Sequence, residues 1–388
     1  CTSEGAGDVT LHVSNPTFNS FHLNFSDSST NEALGFDSAP TTPDPDPKKG
    51  MDVITYTGNG GTQNIGGLGF EPALIWCKTR SNPVDHKLVD SVRGVTNVLE
   101  PNQNRADSTG ITNGITTINP DGFALGNSGD FNSSGRTYVA WTWRAGGPAA
   151  TNTDGSIDAE VSANTDYGFS IAKYTVGTNT SQTIGHGLTN QTPKFIIVKE
   201  TNQVNNWQVY HASLGNTKYL YLNSDAAEAT NNLFDDTSPT TSVFTIRSGG
   251  SANFYDGKTQ VAYIWSEVSG YSKFGSYTGN GSSTGPTITT GFKPRWIIIK
   301  RSDSADSWQI LDTERGGSSL NDDHLFADLS AAEGATSSRA VDFLDDGFQP
   351  RGTNAGINAS GGTYIYAAFA DRPGNHFDVN NIVTNEGL

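Results

Sequence analysis

The sequence predicts an all-β protein of three tandem antiparallel β-sandwich domains with short linkers. Of its 388 residues 44 are Gly and only 16% are charged, a composition typical of many short strands joined by turns. The apolar runs are short and rich in β-branched residues, and clusters of Gly, Asn, Asp and Ser separate them, as in sandwiches. One ordered set of sequence landmarks also occurs three times, which indicates an internal repeat.

Five landmarks define the repeat. In chain order they are an aromatic strand end with a Gly-rich turn, a proline followed by an apolar run and a lysine, an Asp-x-x-Arg-Gly segment, Asp-Gly-Phe, and a Gly-x-Thr turn before an aromatic strand. In the first copy they occupy 56–60, 72–78, 88–94, 121–123 and 135–143. In the third copy they occupy 277–281, 294–300, 310–316, 346–348 and 361–369. The second copy contains all but Asp-Gly-Phe, at 174–178, 193–199, 209–215 and 257–265.

Each copy has the size of a domain and is long enough to close its own core. We therefore predict a strand segment with a Pro/Asp linker at 1–50, repeats at 51–147, 168–270 and 271–375, a linker at 148–167 and a tail at 376–388. The apolar runs 74–76, 195–198 and 296–299 are predicted to be equivalent buried strands. Equal landmark spacing requires equal register, because a slip of one residue would invert every face.

Charge and composition exclude several classes of partner. Lys+Arg 24 against Asp+Glu 40 gives a net charge of −16, which would repel a phosphate backbone, so we expect no nucleic-acid partner. No apolar run approaches the roughly 20 residues that cross a bilayer, so no membrane insertion is expected. Two cysteines form neither a disulfide framework nor a four-ligand zinc site, and the seven histidines lack metal-site spacing.

The pairs Asp90 with Arg93 and Asp312 with Arg315 could bind a ligand as an acid and a base. The alternative, which we favour, is a turn held by a local ion pair. The middle copy has His211 and Leu214 at these positions, so the copies do not share one charged site.

Trp207 and Trp308 follow polar loops and could stack on the face of a sugar. We favour the alternative that each packs inward at the start of a strand, because the position repeats in two copies. Acidic residues at 235–236, 322–323, 342 with 345–346, and 44 with 46 raise the possibility of calcium, but none fits a calcium loop. We therefore expect no cofactor, with Ca²⁺ as the alternative.

The landmarks resemble a repeat of tail-fibre-like and other virion structural proteins of marine bacteriophages. The resemblance rests on Tyr-Thr-Gly-Asn-Gly, on Phe-Glu-Pro at 70–72 with its apolar run, and on the segments 90–94, 135–141 and 364–370; it covers roughly 50–375. In that family such repeats often follow a concanavalin-like (laminin-G-like) domain, and residues 20–27 resemble its final strand. We expect either that the chain is a piece of a longer product, or that this strand docks onto the first repeat or a neighbouring subunit.

The resemblance implies a virion protein displayed outside the cell. We expect a non-enzymatic tail fibre or host-recognition appendage, in which modules in series supply reach and repeated weak contacts with a host-surface glycan or protein supply avidity. Other virion proteins and a homo-oligomer, a trimer in particular, are the expected partners, since sandwiches leave edges to cover. The alternatives are a capsid decoration or head-fibre protein, a glycan-degrading tailspike enzyme and a bacterial surface adhesin. The tailspike would need paired carboxylates about 5–10 Å apart, and no such pair recurs in all three copies.

Overall fold

A computed structural model describes residues 2–3, 8–10, 22–24, 46–248, 254–316 and 322–373. The chain divides into two compact units, Cys1–Asp44 and Pro45–Leu388. In the first unit, β1 (Thr2–Ser3), β2 (Asp8–Thr10) and β3 (His22–Asn24) form an antiparallel sheet in that order. The strand expected within 20–27 is therefore present, and its partner is β2 of the same unit. That the chain is a piece of a longer product stays a prediction.

The second unit contains three main sheets with the same strand order. In each repeat the closing strand lies between the opening strand and the strand after the proline landmark. The latter strand also pairs with the fourth strand, which leads into the Asp-x-x-Arg segment. In this order the strands are β4 (Met51–Thr57), β10 (Thr137–Trp143), β6 (Leu74–Thr79) and β7 (Lys87–Asp90); β13 (Phe169–Thr175), β20 (Thr259–Ser266), β15 (Pro193–Glu200) and β16 (Gln208–His211); and β21 (Ser272–Thr278), β29 (Thr363–Pro373), β23 (Phe292–Arg301) and β24 (Gln309–Asp312).

The all-β class with antiparallel sheets is confirmed. The three apolar runs after the prolines lie in β6, β15 and β23, which hold the same place in their sheets. Both faces of these strands are buried, as their uninterrupted apolar sequence predicts.

Further strands extend the main sheets of repeats 2 and 3. They are β11 (Ala150–Asn152), β12 (Ala159–Asn164), β17 (Lys218–Tyr221) and β18 (Ala229–Thr230) in repeat 2, and β25 (Asp323–Phe326) and β26 (Gly334–Ala335) in repeat 3. The prediction of a linker at 148–167 was therefore wrong. Ala159 and Val161 alternate with polar residues and bury one face of β12, a signal that the polar composition of the segment obscured.

A smaller sheet covers the outer face of each main sheet and completes the sandwich. The small sheets run β5 (Gln63–Gly66), β9 (Gly122–Leu125), β8 (Ile115–Asn119); β14 (Ser181–Gly185), β19 (Val243–Arg247); and β22 (Ile288–Thr289), β28 (Gly347–Pro350), β27 (Val341–Leu344). Among the described residues the helical segments are α1 (Gly129–Asn132), α2 (Ala355–Asn358) and 3-10 turns at Pro47–Lys49 and Ser337–Arg339. In the described part of the chain no helix is long and apolar enough to cross a bilayer.

The inner faces of all three main sheets pack into one shared hydrophobic core. Trp143, Trp265 and Phe369 are equivalent residues of the closing strands, and the ring centroid of Trp143 lies 5.9 Å from that of Trp265 and 5.7 Å from that of Phe369. The three repeats thus surround a common centre, whereas we expected modules in series. The difference arises because apolar residues on both faces of a strand do not reveal whether the second face meets the same repeat or another one.

Candidate functional site

All six residues that the sequence singled out lie at contacts between repeats. We call these contacts joint 1–2, joint 2–3 and joint 3–1 after the repeats that they connect. In each joint the turn after the fourth main-sheet strand of one repeat meets the closing strand of the other repeat: β7 meets β20, β16 meets β29, and β24 meets β10.

In joint 1–2, the carboxylate of Asp90 accepts hydrogen bonds both from its own turn and from the neighbouring repeat. Its Oδ1 accepts the backbone N–H groups of Val92 at 3.0 Å and Arg93 at 2.8 Å. Its Oδ2 accepts Arg93 Nε at 2.6 Å and the hydroxyl of Tyr263, from repeat 2, at 2.7 Å. Arg93 also donates to Asp107 Oδ2 at 2.8 Å, and the side chains of Asp90 and Arg93 are 0% and 3% exposed. The turn held by an ion pair is thus what the structure contains.

Joint 3–1 repeats this arrangement with different residues. Asp312 Oδ2 accepts Arg315 Nε at 2.5 Å and the indole N–H of Trp141, from repeat 1, at 2.9 Å. Arg315 Nη1 donates to Glu333 Oε1 at 2.9 Å, and the guanidinium lies 5.5 Å from the centroid of the Trp141 ring, within the range of a cation–π interaction. Both members of the Asp312–Arg315 pair have fully buried side chains.

Joint 2–3 replaces the charged pair with a neutral contact. His211 Nδ1 accepts the backbone N–H of Ser213 at 3.1 Å, so the proton lies on Nε2, which donates to the carbonyl of Tyr366 at 3.1 Å. Burial lowers the pKa of His211 to about 4, so the ring is neutral at pH 7. Ala367 stands where the other joints have Tyr263 and Trp141. Because alanine has no polar side-chain atom, His211 bonds to a backbone carbonyl of the neighbouring repeat instead.

Trp207 and Trp308 anchor the repeats to one another. Trp207 Nε1 donates to the carbonyls of Glu100 at 3.1 Å and Gln103 at 3.0 Å in repeat 1, and Trp308 Nε1 donates to the carbonyl of Tyr221 at 2.9 Å in repeat 2. The two residues are 0% and 1% exposed, so their rings lie inside joints and offer no face to a sugar. The inward-packing alternative describes their position.

His86 takes the corresponding place in repeat 1. Its Nδ1 accepts the indole N–H of Trp76 at 2.8 Å, which leaves Nε2 to donate to the carbonyl of Phe326 in repeat 3 at 3.0 Å. Burial lowers its pKa to about 3. Sequence reasoning missed this anchor because a histidine there does not resemble the tryptophans of the other copies.

The landmark lysines are also structural. Lys78, Lys199 and Lys300 are buried, and each Nζ donates to the carbonyl of the following residue. Burial lowers the pKa of each amine to about 8. In each copy the repeated lysine therefore bonds to the backbone near the end of the strand after the proline landmark (β6, β15 or β23).

Each joint also contains a backbone hydrogen bond, and in every case the donor lies in one repeat and the acceptor in the next repeat around the ring. Their donors and acceptors are Asp107 N–H to Thr201 O at 2.7 Å, Glu228 N–H to Ser302 O at 2.8 Å, and Glu333 N–H to Arg80 O at 2.8 Å. Repeat 1 thus contacts repeat 2, repeat 2 contacts repeat 3, and repeat 3 returns to repeat 1, which closes a ring.

The acidic clusters proposed for calcium have protein partners where they are described. Asp235 pairs with Arg247 at 2.7 Å and Asp342 with Arg351 at 3.3 Å, while Asp44 lies outside the described residues. Within the described ranges, no three His, Cys, Asp or Glu residues are grouped so that they could hold a metal ion.

Two further polar clefts contain charged residues, one between repeats 1 and 2 and one within repeat 2. One, of about 440 Å³, is lined by Glu71, Ser91, Arg144 and Asn164 among others. A second, of about 480 Å³, is lined by residues that include Asp158, Glu160 and Lys173 of repeat 2. Both have the size of small-ligand sites, which span about 300–1,000 Å³.

The fold and the joints define a class of protein: a closed ring of three β-sandwich repeats whose recurring charged and aromatic residues connect the repeats. The chain belongs to the family described as Domain of unknown function (DUF7483), whose model matches residues 46–373. This match spans all three repeats, so the family unit is the whole ring. No curated protein and no solved structure matches the chain.

Proposed function

We propose that this protein is a non-enzymatic structural component of a bacteriophage virion, displayed outside the cell as a tail fibre or host-recognition appendage. One structural observation supports a non-enzymatic role: the recurring acids, bases and tryptophans are buried in the joints. A general acid or base must come within hydrogen-bond reach of its substrate. Asp90, Asp312 and Arg315 have 0% exposed side chains and are occupied by protein partners. The resemblance to marine phage virion repeats supports the virion assignment.

The proposed partners are other virion proteins, further copies of the chain in a trimer, and a host-surface glycan or protein. The two polar clefts supply concave surfaces, each lined by both acidic and basic residues. These clefts are the places where the proposal puts recognition, in preference to Trp207 and Trp308. Light scattering tests self-association; a stable monomer at high concentration, with no contact above about 1,000 Å² in any assembly, counts against the trimer.

Localisation on the virus particle tests the proposal directly. Gold-labelled antibody against the purified protein should bind the tail of the phage that encodes it, and the free protein should compete with that phage for adsorption to host cells. Particles without label, together with unimpaired adsorption, would overturn the proposal. Label on the bacterial surface in uninfected cells would instead identify an adhesin.

A capsid decoration protein is the second candidate, and the ring itself favours it. Three repeats around one core form a single compact unit, which gives up the reach that modules in series would provide. Label on the head, with loss of capsid stability when the protein is removed, would establish this alternative over the tail appendage.

The tailspike alternative is tested by chemistry. Incubation of the protein with host-surface polysaccharide should produce no new reducing ends beyond those of a heat-denatured sample. Sustained turnover would contradict the non-enzymatic proposal and establish a glycan hydrolase.

A further inference from the structure

Joint 2–3 contains a cavity of about 220 Å³ at the position that an arginine side chain occupies in the other two joints. Leu214 is equivalent to Arg93 and Arg315, and its shorter side chain lines the cavity. Ala367 likewise replaces the large rings of Tyr263 and Trp141. Beside the cavity, the shorter side chain of Leu214 thus leaves open the space that a guanidinium group fills in the other two joints.

One of the two carboxylates that bind the arginine in the other joints is still present, while His211 replaces the other. Glu228 is equivalent to Asp107 and Glu333, since all three donate their backbone N–H across a joint to equivalent carbonyls. Asp107 and Glu333 accept a guanidinium N–H at 2.8 and 2.9 Å. Glu228 instead pairs with Lys218, which also lines the cavity, so a ligand must displace this lysine; its side chain is 41% exposed and can move into solvent.

Repeat 3 adds a second carboxylate to the cavity. Asp303 lines it from the side of repeat 3, where repeats 1 and 2 have Ser81 and Asn202 at the equivalent positions. Arg301 pairs with this carboxylate, Nε with Oδ1 at 2.8 Å and Nη2 with Oδ2 at 3.4 Å, so a bound cation would share Asp303 with Arg301. Ser276 and Ser302 also line the cavity.

We propose that this cavity binds a guanidinium cation, either as a small free ligand or as the arginine side chain of a partner protein. A guanidinium offers five N–H donors in a plane, which suits the carboxylates that two repeats bring to the cavity. The side chains of Leu214 and Ile365 offer apolar contact to the alkyl stem of such a ligand. This inference goes beyond the proposed function and does not depend on it.

Calorimetric titration of the full chain tests the site with two probes. Ethylguanidinium represents a free ligand, and the capped peptide Gly-Arg-Gly represents a partner's side chain. Both should bind saturably, with ethylguanidinium about tenfold tighter than ethylammonium, because an ammonium is a point charge without the planar fork. Binding of ethylguanidinium alone supports the site and assigns it to a free ligand. Absence of saturation with both probes, or equal affinity for ethylammonium, overturns the proposal.

Three variants locate the binding. Leu214→Arg should fill the cavity as Arg93 fills joint 1–2 and weaken ethylguanidinium binding at least about tenfold, and Glu228→Gln should also weaken it. Lys218→Met should tighten it, because Glu228 loses its competing cation. Lys273→Met is the matched control, since Lys273 pairs with Glu267 at 2.7 Å with similar exposure outside the cavity. Unchanged binding in Glu228→Gln, or weaker binding in Lys218→Met, overturns the proposal even if Leu214→Arg fails to fold.

Discussion

The phenol of Tyr263 donates a 2.7 Å hydrogen bond to Asp90, although the two residues are 173 positions apart and belong to different repeats. The indole of Trp141 makes the corresponding bond to Asp312 across joint 3–1. In both joints one aspartate thus accepts bonds from its own turn and from the next repeat. A residue that holds a local turn therefore also bonds to the neighbouring repeat.

Tyr263→Phe should lower the free energy of unfolding by about 1–3 kcal/mol, because a buried carboxylate loses a hydrogen-bond donor. Urea unfolding followed by circular dichroism measures the change. Tyr255→Phe is the control, since Tyr255 is 45% exposed and its substitution should stay within about 0.5 kcal/mol. A loss no larger than in the control would mean that the bond does not stabilise the joint.

Arg315→Met should lower the free energy of unfolding by about 3–5 kcal/mol, because Asp312 and Glu333 would lose their buried cation. Leu214→Met at the equivalent position of joint 2–3 changes no charge and should cost less than about 1.5 kcal/mol. The free energy of unfolding of both variants should be measured in urea and not in guanidinium chloride. Equal losses in the two variants would contradict the role assigned to the ion pair.

Stability should decrease as the pH falls below about 6.5. The folded pKa values of His86 and His211, about 3 and about 4, lie below the usual histidine value near 6.5. The unfolded chain therefore binds more protons in this range, so the stabilisation is complete above about pH 7 and is lost progressively towards pH 4. Urea midpoints at pH 7.5, 6 and 5 measure the trend. His211→Gln should reduce the slope, and an unchanged slope would exclude His211 as a contributor.

The shared core should make the three repeats unfold together. Trp143→Ala should lower the free energy of unfolding by about 3–5 kcal/mol, as expected for a buried aromatic, while retaining one transition. Tryptophan fluorescence and near-ultraviolet circular dichroism should give coincident urea curves in the wild type and the variant. Separate transitions would indicate that the repeats fold as independent domains.

Several parts of the fold were predictable because their cause is local. The apolar run at 296–299 identifies a strand buried on both faces, and the repeated Trp308 position indicates inward packing. β12 was missed because only Ala159 and Val161 mark its buried side within a polar segment, and β11 was missed because it has no buried residue. The ring was missed because nothing local distinguishes a face that meets another sheet of the same repeat from one that meets a neighbour.

The candidate site shows the same limit. Asp90 and Arg93 could be paired from their spacing, but the contact of Asp90 with Tyr263 depends on tertiary structure. One signal was nevertheless visible in the sequence. The second repeat lacks the aspartate and the third lacks the large polar aromatic, and the structure brings these two departures, His211 and Ala367, to the same joint.

Closure of the ring ties the number of repeats to the packing at its centre. Each repeat presents a turn to one neighbour and a closing strand to the other, and no turn or closing strand is left for a fourth copy. A solenoid can lengthen by internal duplication because its ends remain open to another repeat. Here an added or lost copy would require the ring to open and close again around a centre of another size. Such a change requires repacking of the core around Trp143, whereas changes in the outward loops and the small sheets leave that core intact.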